Sequence, residues 1–378
     1  MPAEIAVILL LTTAVIASLT TWQVMSRRDR RLVAAARVTR PVAAADQRVA
    51  MIINPIKSQA DSARTILGAA CEIAGWEPPL IFETTVESPG HRQAQQALEA
   101  GADVVLAAGG DGTVREVARA LAHAPAAMGL IPLGTGNLLA RNLGLPLNDL
   151  AGSVQAALHG SERRIDMGRL VLENARTGDR STSNFLVMGG IGLDAEVIAA
   201  TRDELKRRVG WLAYSEAGVR LLPGPRRRMR IQLDDEPAQV RKVRSVLFAN
   251  TGRLPAGIDF IPSAAVDDGM LDIVVLSPRT VLGWAAVAGK IVTRNRRDLP
   301  LIEYRRARKV TVSTEDPTIT QLDGDLTGAA TSVSVTVDPH CLRVRAADPQ
   351  PPGGAGSTSA ASPARSRLRR RPRAGSFR

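Results

Sequence analysis

The chain has 378 residues, of which 45% are hydrophobic and 3% aromatic, and it carries a formal net charge of +12. This apolar share is enough for a core of aliphatic side chains, and the length favours two packed domains with appended segments. The two cysteines, Cys71 and Cys341, are too few for a disulfide framework and fit no metal-binding spacing, which indicates a reducing compartment.

Arginine clusters at residues 27–31, 226–230 and 365–378 carry much of the positive charge. Such charge attracts nucleic acid, phosphorylated substrates or the anionic leaflet of a membrane. Aromatic side chains that could stack on bases are scarce around these clusters, and the chain contains no nucleic-acid-binding motif. We therefore expect an anionic membrane surface as a partner and no nucleic acid.

The N-terminal segment is apolar, because the 20 residues from Ile5 to Val24 contain no charged side chain. An α-helix of this length crosses the hydrocarbon core of a bilayer, and its all-round apolar surface disfavours the alternative of a soluble core helix. Since the arginines follow this segment, the positive-inside rule predicts a single-pass protein of the cell membrane with the rest of the chain in the cytoplasm. We assign residues 1–26 to the transmembrane anchor, 27–46 to a basic juxtamembrane linker and 347–378 to a disordered basic tail.

Strand and helix patterns alternate between residues 48 and 142. This alternation predicts a parallel sheet covered by helices, with ligands bound at the carboxyl ends of the strands. The predicted strands are residues 48–53, 80–83, 103–108 and 128–132, and the predicted helices are 62–74, 92–100 and two that begin after residues 113 and 137.

The third predicted strand runs directly into the turn Gly109-Gly110-Asp111-Gly112-Thr113. Its glycines let a ligand approach the backbone, and the start of the next helix supplies N–H groups that suit phosphate. Asp111 would repel a bare phosphate, so we expect it to contact Mg²⁺ or a substrate hydroxyl. The turn predicts a phosphate-binding centre.

A second turn, Gly134-Thr135-Gly136-Asn137, follows the fourth predicted strand, and Asn137 is placed to cap the next helix. Two such turns at one edge of a sheet predict a nucleotide site. Neither turn matches a Walker P-loop or the Rossmann spacing.

After residue 165, short alternating runs are separated by turn residues, which predicts a β-sandwich-like domain. These runs are residues 229–233, 243–249, 271–276, 309–313 and 332–337.

Several motifs together resemble the catalytic domain shared by diacylglycerol, sphingosine and bacterial lipid kinases. The resemblance covers about residues 48 to 345 in the expected order, which is more specific than any single motif. The motifs are Asn54-Pro55, residues 109–113, residues 132–137, residues 190–195, residues 261–265, residues 268–272 and residues 322–325.

The resemblance implies an ATP-dependent lipid kinase that transfers the γ-phosphate to a lipid hydroxyl, diacylglycerol-like by preference, with ATP and Mg²⁺ as cofactors. The implied fold is an α/β nucleotide-binding domain, residues 47–165, followed by a β-rich lipid-substrate domain, residues 166–346, with the catalytic part on the cytoplasmic side. The partner is a membrane lipid substrate, and a homodimer is left open. The implied nucleotide-site residues are Asn54, Pro55, Ile56, Lys57, Ser58, Thr85, Gly109, Gly110, Asp111, Gly112, Thr113 and Thr135.

The resemblance also implies a structural Mg²⁺ site at Asp268, completed by the backbone carbonyls of Ala265 and Met270. The segment Asp323-Gly324-Asp325 aligns with an Asp-Gly-Glu motif whose glutamate is the proposed catalytic base, so Asp325 takes that position with a side chain one methylene shorter. Asp323 and Asp111 are the alternative catalytic candidates, and Asp-Gly is by itself a common hairpin turn.

Other departures from the family pattern are Arg115, where an asparagine is usual, and Gln59, where a glycine is usual. Two rival functions follow. An NAD kinase also uses a Gly-Gly-Asp-Gly-Thr turn, but would lack the second glycine turn and have little use for an anchor. A catalytically weak, membrane-tethered nucleotide-binding protein would explain Asp325 and Arg115.

Overall fold

The computed structural model describes residues 46–174, 177–192, 226–254, 258–293 and 299–346. The predicted anchor, nearly all of the predicted linker and the predicted tail lie outside these residues. Within the described ranges, no helix combines the length and apolarity that a membrane crossing requires.

The first half of the described chain is an α/β domain built on four parallel strands in the order β2-β1-β3-β4. This confirms the predicted parallel sheet. The strands are β1 (Val49–Ile53), β2 (Leu80–Glu83), β3 (Val104–Gly109) and β4 (Ala127–Pro132). The helices are α1 (Ala60–Ala74), α2 (His91–Glu99), α3 (Asp111–Leu121), α4 (Leu138–Asn142) and α5 (Leu150–His159).

Both faces of this sheet are buried, because aliphatic side chains alternate between two helical layers. In β1, Ala50 and Ile52 pack with the apolar sides of α2 and α3. Met51 and Ile53 point the other way and pack with α1 and α5. The strands therefore read as continuous apolar runs, and the polar chemistry is left to the loops at their carboxyl ends.

The second half is rich in antiparallel strands around a separate aliphatic core, as expected for a β-sandwich-like domain. One helix, α6 (Val281–Val292), lies within it. The strands are β5 (Ser161–Asn174), β6 (Arg180–Phe185), β7 (Met188–Gly192), β8 (Arg227–Leu233), β9 (Gln239–Val243), β10 (Ser245–Ala249), β11 (Arg253–Leu254), β12 (Ile258–Asp259), β13 (Leu271–Leu276), β14 (Ile302–Ala307), β15 (Lys309–Leu322) and β16 (Asp325–Ala346).

Most predicted strands agree with the structure to within two residues at each end, and three of them differ more. The run 243–249 is divided at Arg244, because β9 pairs with β8 whereas β10 pairs with β7 and β13. The runs 309–313 and 332–337 are parts of the long strands β15 and β16, whose alternation is interrupted by a shift in register between Ser313 and Thr318.

The two halves share one sheet, since β16 pairs in parallel with β4 through Val344 and Met128. The same strand begins at Asp325, the last residue of the predicted catalytic segment.

Candidate functional site

The two glycine turns touch each other directly. A Cβ atom built on Gly134 would lie 2.7 Å from the Cα atom of Gly110, and one built on Gly136 would lie 2.5 Å from Asp111 Oδ2. Only glycine allows so close an approach of two backbones. The structure therefore brings the two predicted turns together as one unit at the carboxyl ends of β3 and β4.

Asp111 links these turns by capping α4. Its Oδ2 accepts from the backbone N–H of Asn137 at 3.0 Å, and its Oδ1 accepts from that of Leu138 at 2.6 Å. The amide groups at the start of a helix favour a carboxylate. Burial raises the pKa of Asp111, and these two N–H donors oppose that effect.

Backbone amides already compensate part of the Asp111 charge, and its predicted contact with Mg²⁺ or a substrate hydroxyl stays a prediction. Asn137 occupies the N-cap position of α4, as predicted, but its side chain makes no capping bond. Asn137 has a φ of 48°, and its side chain bonds back to the N–H and carbonyl of Gly134 at 3.0 and 2.7 Å. The side chain of Asp111, 27 residues before Leu138 in the chain, accepts the helix N–H group instead.

The remaining predicted nucleotide residues lie in loops at the same edge. The backbone N–H of Asn54 donates to the carbonyl of Ala108 at 3.0 Å, which ties residues 54–58 to the end of β3. Asn54 Oδ1 accepts from the N–H of Ile56 at 3.2 Å, which shapes that loop. Thr85 follows β2, Thr135 follows β4, and both are exposed to solvent.

Asp323 and Gly324 form the two-residue turn of a hairpin between β15 and β16. Their φ angles are 47° and 87°, and Leu322 pairs with Asp325 across the turn. Two positive φ values in succession are typical of a type I′ turn, which Asp-Gly favours. The hairpin and the predicted catalytic segment are thus the same feature.

The hairpin places Asp325 beside the first glycine turn. A Cβ atom built on Gly112 would lie 3.7 Å from Asp325 Oδ2. The same oxygen accepts from Arg115 Nη2 at 3.0 Å, and Arg115 Nη1 donates to the carbonyl of Leu322 at 3.1 Å. The side chain of Asp325 is 43% exposed and that of Arg115 is 17% exposed. A carboxylate from the second half therefore faces the first glycine turn.

Asp323 has a different environment. Its side chain is buried, and its oxygens accept from the backbone N–H groups of Leu186, Val187 and Met188 at 3.0, 2.9 and 3.0 Å. Burial raises the pKa of Asp323, whereas these donors and the charge of Arg115 act in the opposite direction. The carboxylate holds the start of β7 to the hairpin.

Asp268 is paired with an arginine in this structure, and its predicted Mg²⁺ site with the carbonyls of Ala265 and Met270 stays a prediction. Asp268 Oδ2 pairs with Arg306 Nη2, and Oδ1 accepts from the N–H of Met270 at 3.1 Å. Arg306 Nε also lies 3.8 Å from Asp272 Oδ1. A guanidinium thus stands where a cation would be needed. In the part of the chain that the structure describes, no group of three or more His, Cys, Asp or Glu side chains is placed to hold a metal.

A cleft of about 450 Å³ lies near the second glycine turn. Asn142 joins its two walls, because Nδ2 donates to the carbonyl of Arg253 and Oδ1 accepts from its N–H, both at 3.0 Å. Arg141, on the first wall, donates from Nε to the carbonyl of Gly136 at 2.7 Å. The lining is apolar with charged groups at intervals: Arg141, Gly144, Leu145, Leu147, Arg253, Leu254 and Asp259.

Sequence reasoning missed the part that Arg115 plays in this site, treating it only as a departure from the family pattern. A signal was present, because Arg115 follows Asp111 by four residues and so projects from the same side of α3. Its contact with Asp325 spans 210 residues of sequence and leaves no trace in local periodicity.

Comparisons with known proteins agree with this architecture. The family model of the diacylglycerol kinase catalytic domain matches residues 48–170, and that of the YegS C-terminal NAD kinase beta sandwich-like domain matches residues 188–346. A "Probable lipid kinase YegS-like" of Pseudomonas fluorescens is 30% identical over 295 residues, covering 74% of this chain and 88% of the relative. A diacylglycerol kinase of Staphylococcus saprophyticus is 28% identical and covers 75% of this chain and 90% of its own length.

A crystal structure of a diacylglycerol kinase from Bacillus anthracis has the same fold, with a TM-score of 0.60 at 20% identity, covering 81% of this chain and 98% of that chain. The matched family model and the names of the relatives define the class as a kinase. The chain belongs to the diacylglycerol kinase catalytic-domain family of lipid kinases, which confirms the resemblance read from its motifs.

Proposed function

We propose that this chain transfers the γ-phosphoryl group of ATP to the hydroxyl of a membrane lipid, with a diacylglycerol-like lipid as the favoured acceptor. The observation that carries the proposal is the position of Asp325, whose Oδ2 lies 3.7 Å from the Cβ position of Gly112. A carboxylate at that distance from a phosphate-binding turn is placed to meet an acceptor hydroxyl.

The nucleotide binds at the carboxyl edge of the parallel sheet. The first-turn N–H groups of α3 have no acceptor within the helix, and together with the helix dipole they bind phosphate oxygens. Residues 54–58, Thr85, residues 109–113 and Thr135 line this edge and hold ATP in place. Catalysis of phosphoryl transfer depends mainly on such positioning and on compensation of charge.

Asp325 is the proposed proton acceptor. As the lipid oxygen forms its bond to the γ-phosphorus, the bond from that phosphorus to the bridging oxygen breaks, ADP departs, and the hydroxyl proton moves to the Asp325 carboxylate. The contacts of Asp323 and Asp111 favour positioning roles for them, because backbone N–H groups already bind their oxygens.

Mg²⁺, when bound with ATP, would neutralise phosphate charge, with phosphate oxygens and the Asp325 and Asp111 carboxylates as its oxygen ligands. Hard oxygen donors of this kind fit Mg²⁺, although each Asp111 oxygen already accepts one backbone bond. The Asp268 site is not part of this proposal.

The acceptor lipid enters through the cleft beside α4. Leu145, Leu147 and Leu254 offer an apolar lining for its hydrocarbon part, and Arg141 is held next to the second glycine turn. We also propose that residues 1–26 anchor the chain in the cell membrane, with the kinase domains on the cytoplasmic side. Deletion of these residues should release the protein from membranes, and complete retention would contradict the anchor.

The test is a phosphorylation assay with purified protein, ATP, Mg²⁺ and mixed micelles that contain diacylglycerol, a sphingoid base, a phosphatidyl lipid or an isoprenoid alcohol. Labelled phosphate on one of these lipids supports the proposal. Phosphorylated NAD in a parallel reaction would favour an NAD kinase instead. Binding of ATP without turnover on any acceptor would favour a catalytically weak nucleotide-binding protein.

A further inference from the structure

Arg115 holds the hairpin between β15 and β16 through two separate nitrogen atoms. Nη2 donates to Asp325 Oδ2 at 3.0 Å, and Nη1 donates to the carbonyl oxygen of Leu322 at 3.1 Å. Leu322 and Asp325 are the residues that flank the turn on either side. A planar guanidinium with two anchors has a fixed orientation, unlike an ammonium group at the same place.

The backbone of the hairpin is held by other contacts. Asp323 binds three amide groups of residues 186–188, and the N–H of Gly324 donates to Gln321 Oε1 at 3.0 Å. The Asp325 side chain is 43% exposed, so packing restricts its carboxylate little. The salt bridge to Arg115 is the contact that gives this carboxylate a defined direction.

We propose that Arg115 is a positioning residue that aims the Asp325 carboxylate at the first glycine turn, so that Arg115 and Asp325 act as one unit across the two halves of the protein. This inference rests on the proposed lipid-kinase function. Arg115 should therefore affect kcat, because a carboxylate displaced by about an ångström accelerates an in-line phosphoryl transfer much less.

The lengths of the two side chains make the pair interdependent. An asparagine at position 115 could not reach both Leu322 and Asp325. A glutamate at position 325 would carry its carboxylate one methylene past the point where the guanidinium now meets it. Both positions depart from the pattern of the resembled kinases, and the structure places these two departures in contact. A change at one position should therefore be relieved by a matching change at the other.

The test compares wild type with Arg115→Asn, Asp325→Glu and the double variant in the mixed-micelle assay. Arg115→Asn is expected to lower kcat roughly tenfold while KM for ATP changes less than about threefold, since the nucleotide-binding loops are untouched. The double variant is expected to exceed both single variants. Losses in kcat that simply multiply would overturn the proposal.

Arg119→Asn is the matched control. Arg119 lies on the same helix, its side chain is 41% exposed, and within the described part of the chain it pairs with Glu116 of the same helix. We expect wild-type kcat from this variant, and an Arg115→Asn enzyme as active as Arg119→Asn would overturn the proposal. Arg115→Lys keeps the charge but lacks the planar guanidinium, so kcat should fall roughly three- to tenfold. Turnover at the wild-type rate in this variant would contradict a role for the two hydrogen bonds of Arg115.

A stability measurement separates failure of this inference from failure of the proposed function. If wild type phosphorylates no lipid, the function is wrong, but the pair can still be tested by thermal unfolding of Arg115→Asn, Asp325→Asn and the double variant. Loss of the pair is expected to lower Tm by roughly 2 °C, and the double variant should unfold no lower than the less stable single variant. Additive losses in Tm would show that Arg115 and Asp325 are not coupled.

Discussion

Replacing Asp323 should damage stability far more than replacing Asp325, although the two residues are separated only by Gly324. Asp323 accepts three buried backbone N–H bonds, and each buried donor left without a partner costs about 1–3 kcal/mol. In Asp323→Asn the amide oxygen can replace Oδ1, which accepts from Val187 and Met188. The amide nitrogen then faces the N–H of Leu186, so one donor loses its partner and the other two lose a charged acceptor.

The expected cost of Asp323→Asn is therefore about 3 kcal/mol, which corresponds to a fall in Tm of roughly 5 °C for a protein of this size. Asn tolerates the positive φ at this position, so backbone strain adds little. Asp323→Ala leaves three donors without a partner and should cost about 5 kcal/mol, a large share of a typical total of about 5–15 kcal/mol.

Differential scanning calorimetry with Asp325→Asn as the control tests this reasoning. Asp325 makes one partly exposed ion pair, worth about 0–1 kcal/mol, so the control should unfold near wild type while losing activity. If Asp323→Asn unfolds within about 2 °C of Asp325→Asn, the buried carboxylate does not hold the hairpin as argued.

Two further predictions concern close packing and thiol reactivity. Gly134→Ala would place a methyl group 2.7 Å from the Cα atom of Gly110, so the glycine turns should separate and the affinity for ATP, measured by titration calorimetry, should fall at least roughly tenfold. The control Gly68→Ala, with nothing within 4 Å of the added atom, should bind ATP normally. Equal affinities of the two variants would refute the contact between the turns. Burial raises the pKa of Cys71 and raises that of Cys341 to about 12. A thiol reagent at pH 8 should therefore label neither cysteine in the native protein and both after denaturation. Rapid labelling of the native protein would contradict the buried positions.

The parts of the fold that follow from local pattern could be predicted from sequence. Apolar strands ending in Gly109 and Pro132, each followed by a glycine turn and a helix, indicate the proposed nucleotide edge without reference to distant residues. The order of the motifs identified the family because each motif can be read from consecutive residues. The predicted runs 309–313 and 332–337 were too brief, because local alternation does not show how far β15 and β16 extend through a shift in register.

The contacts that assign roles to the aspartates could not be predicted in the same way. Asp111 caps a helix 27 residues later, and Asp323 binds amides 135 to 137 residues earlier. All three candidate aspartates look alike in sequence. Their burial and partners separate them, since the oxygens of two accept backbone N–H bonds, whereas Asp325 presents a partly exposed carboxylate at the turn.

Strand β16 explains why the direction of the Asp325 carboxylate depends on a side chain rather than on a movement of the two halves toward each other. The strand begins at Asp325 and reaches Val344, which pairs with Met128 in the parallel sheet. The strand β4 that contains Met128 leads into the second glycine turn. A rotation of one half against the other would have to break this pairing and the bonds between Asn142 and Arg253. Because the backbone is fixed at both ends, the direction of the Asp325 carboxylate is set locally, and Arg115 is the residue placed to set it.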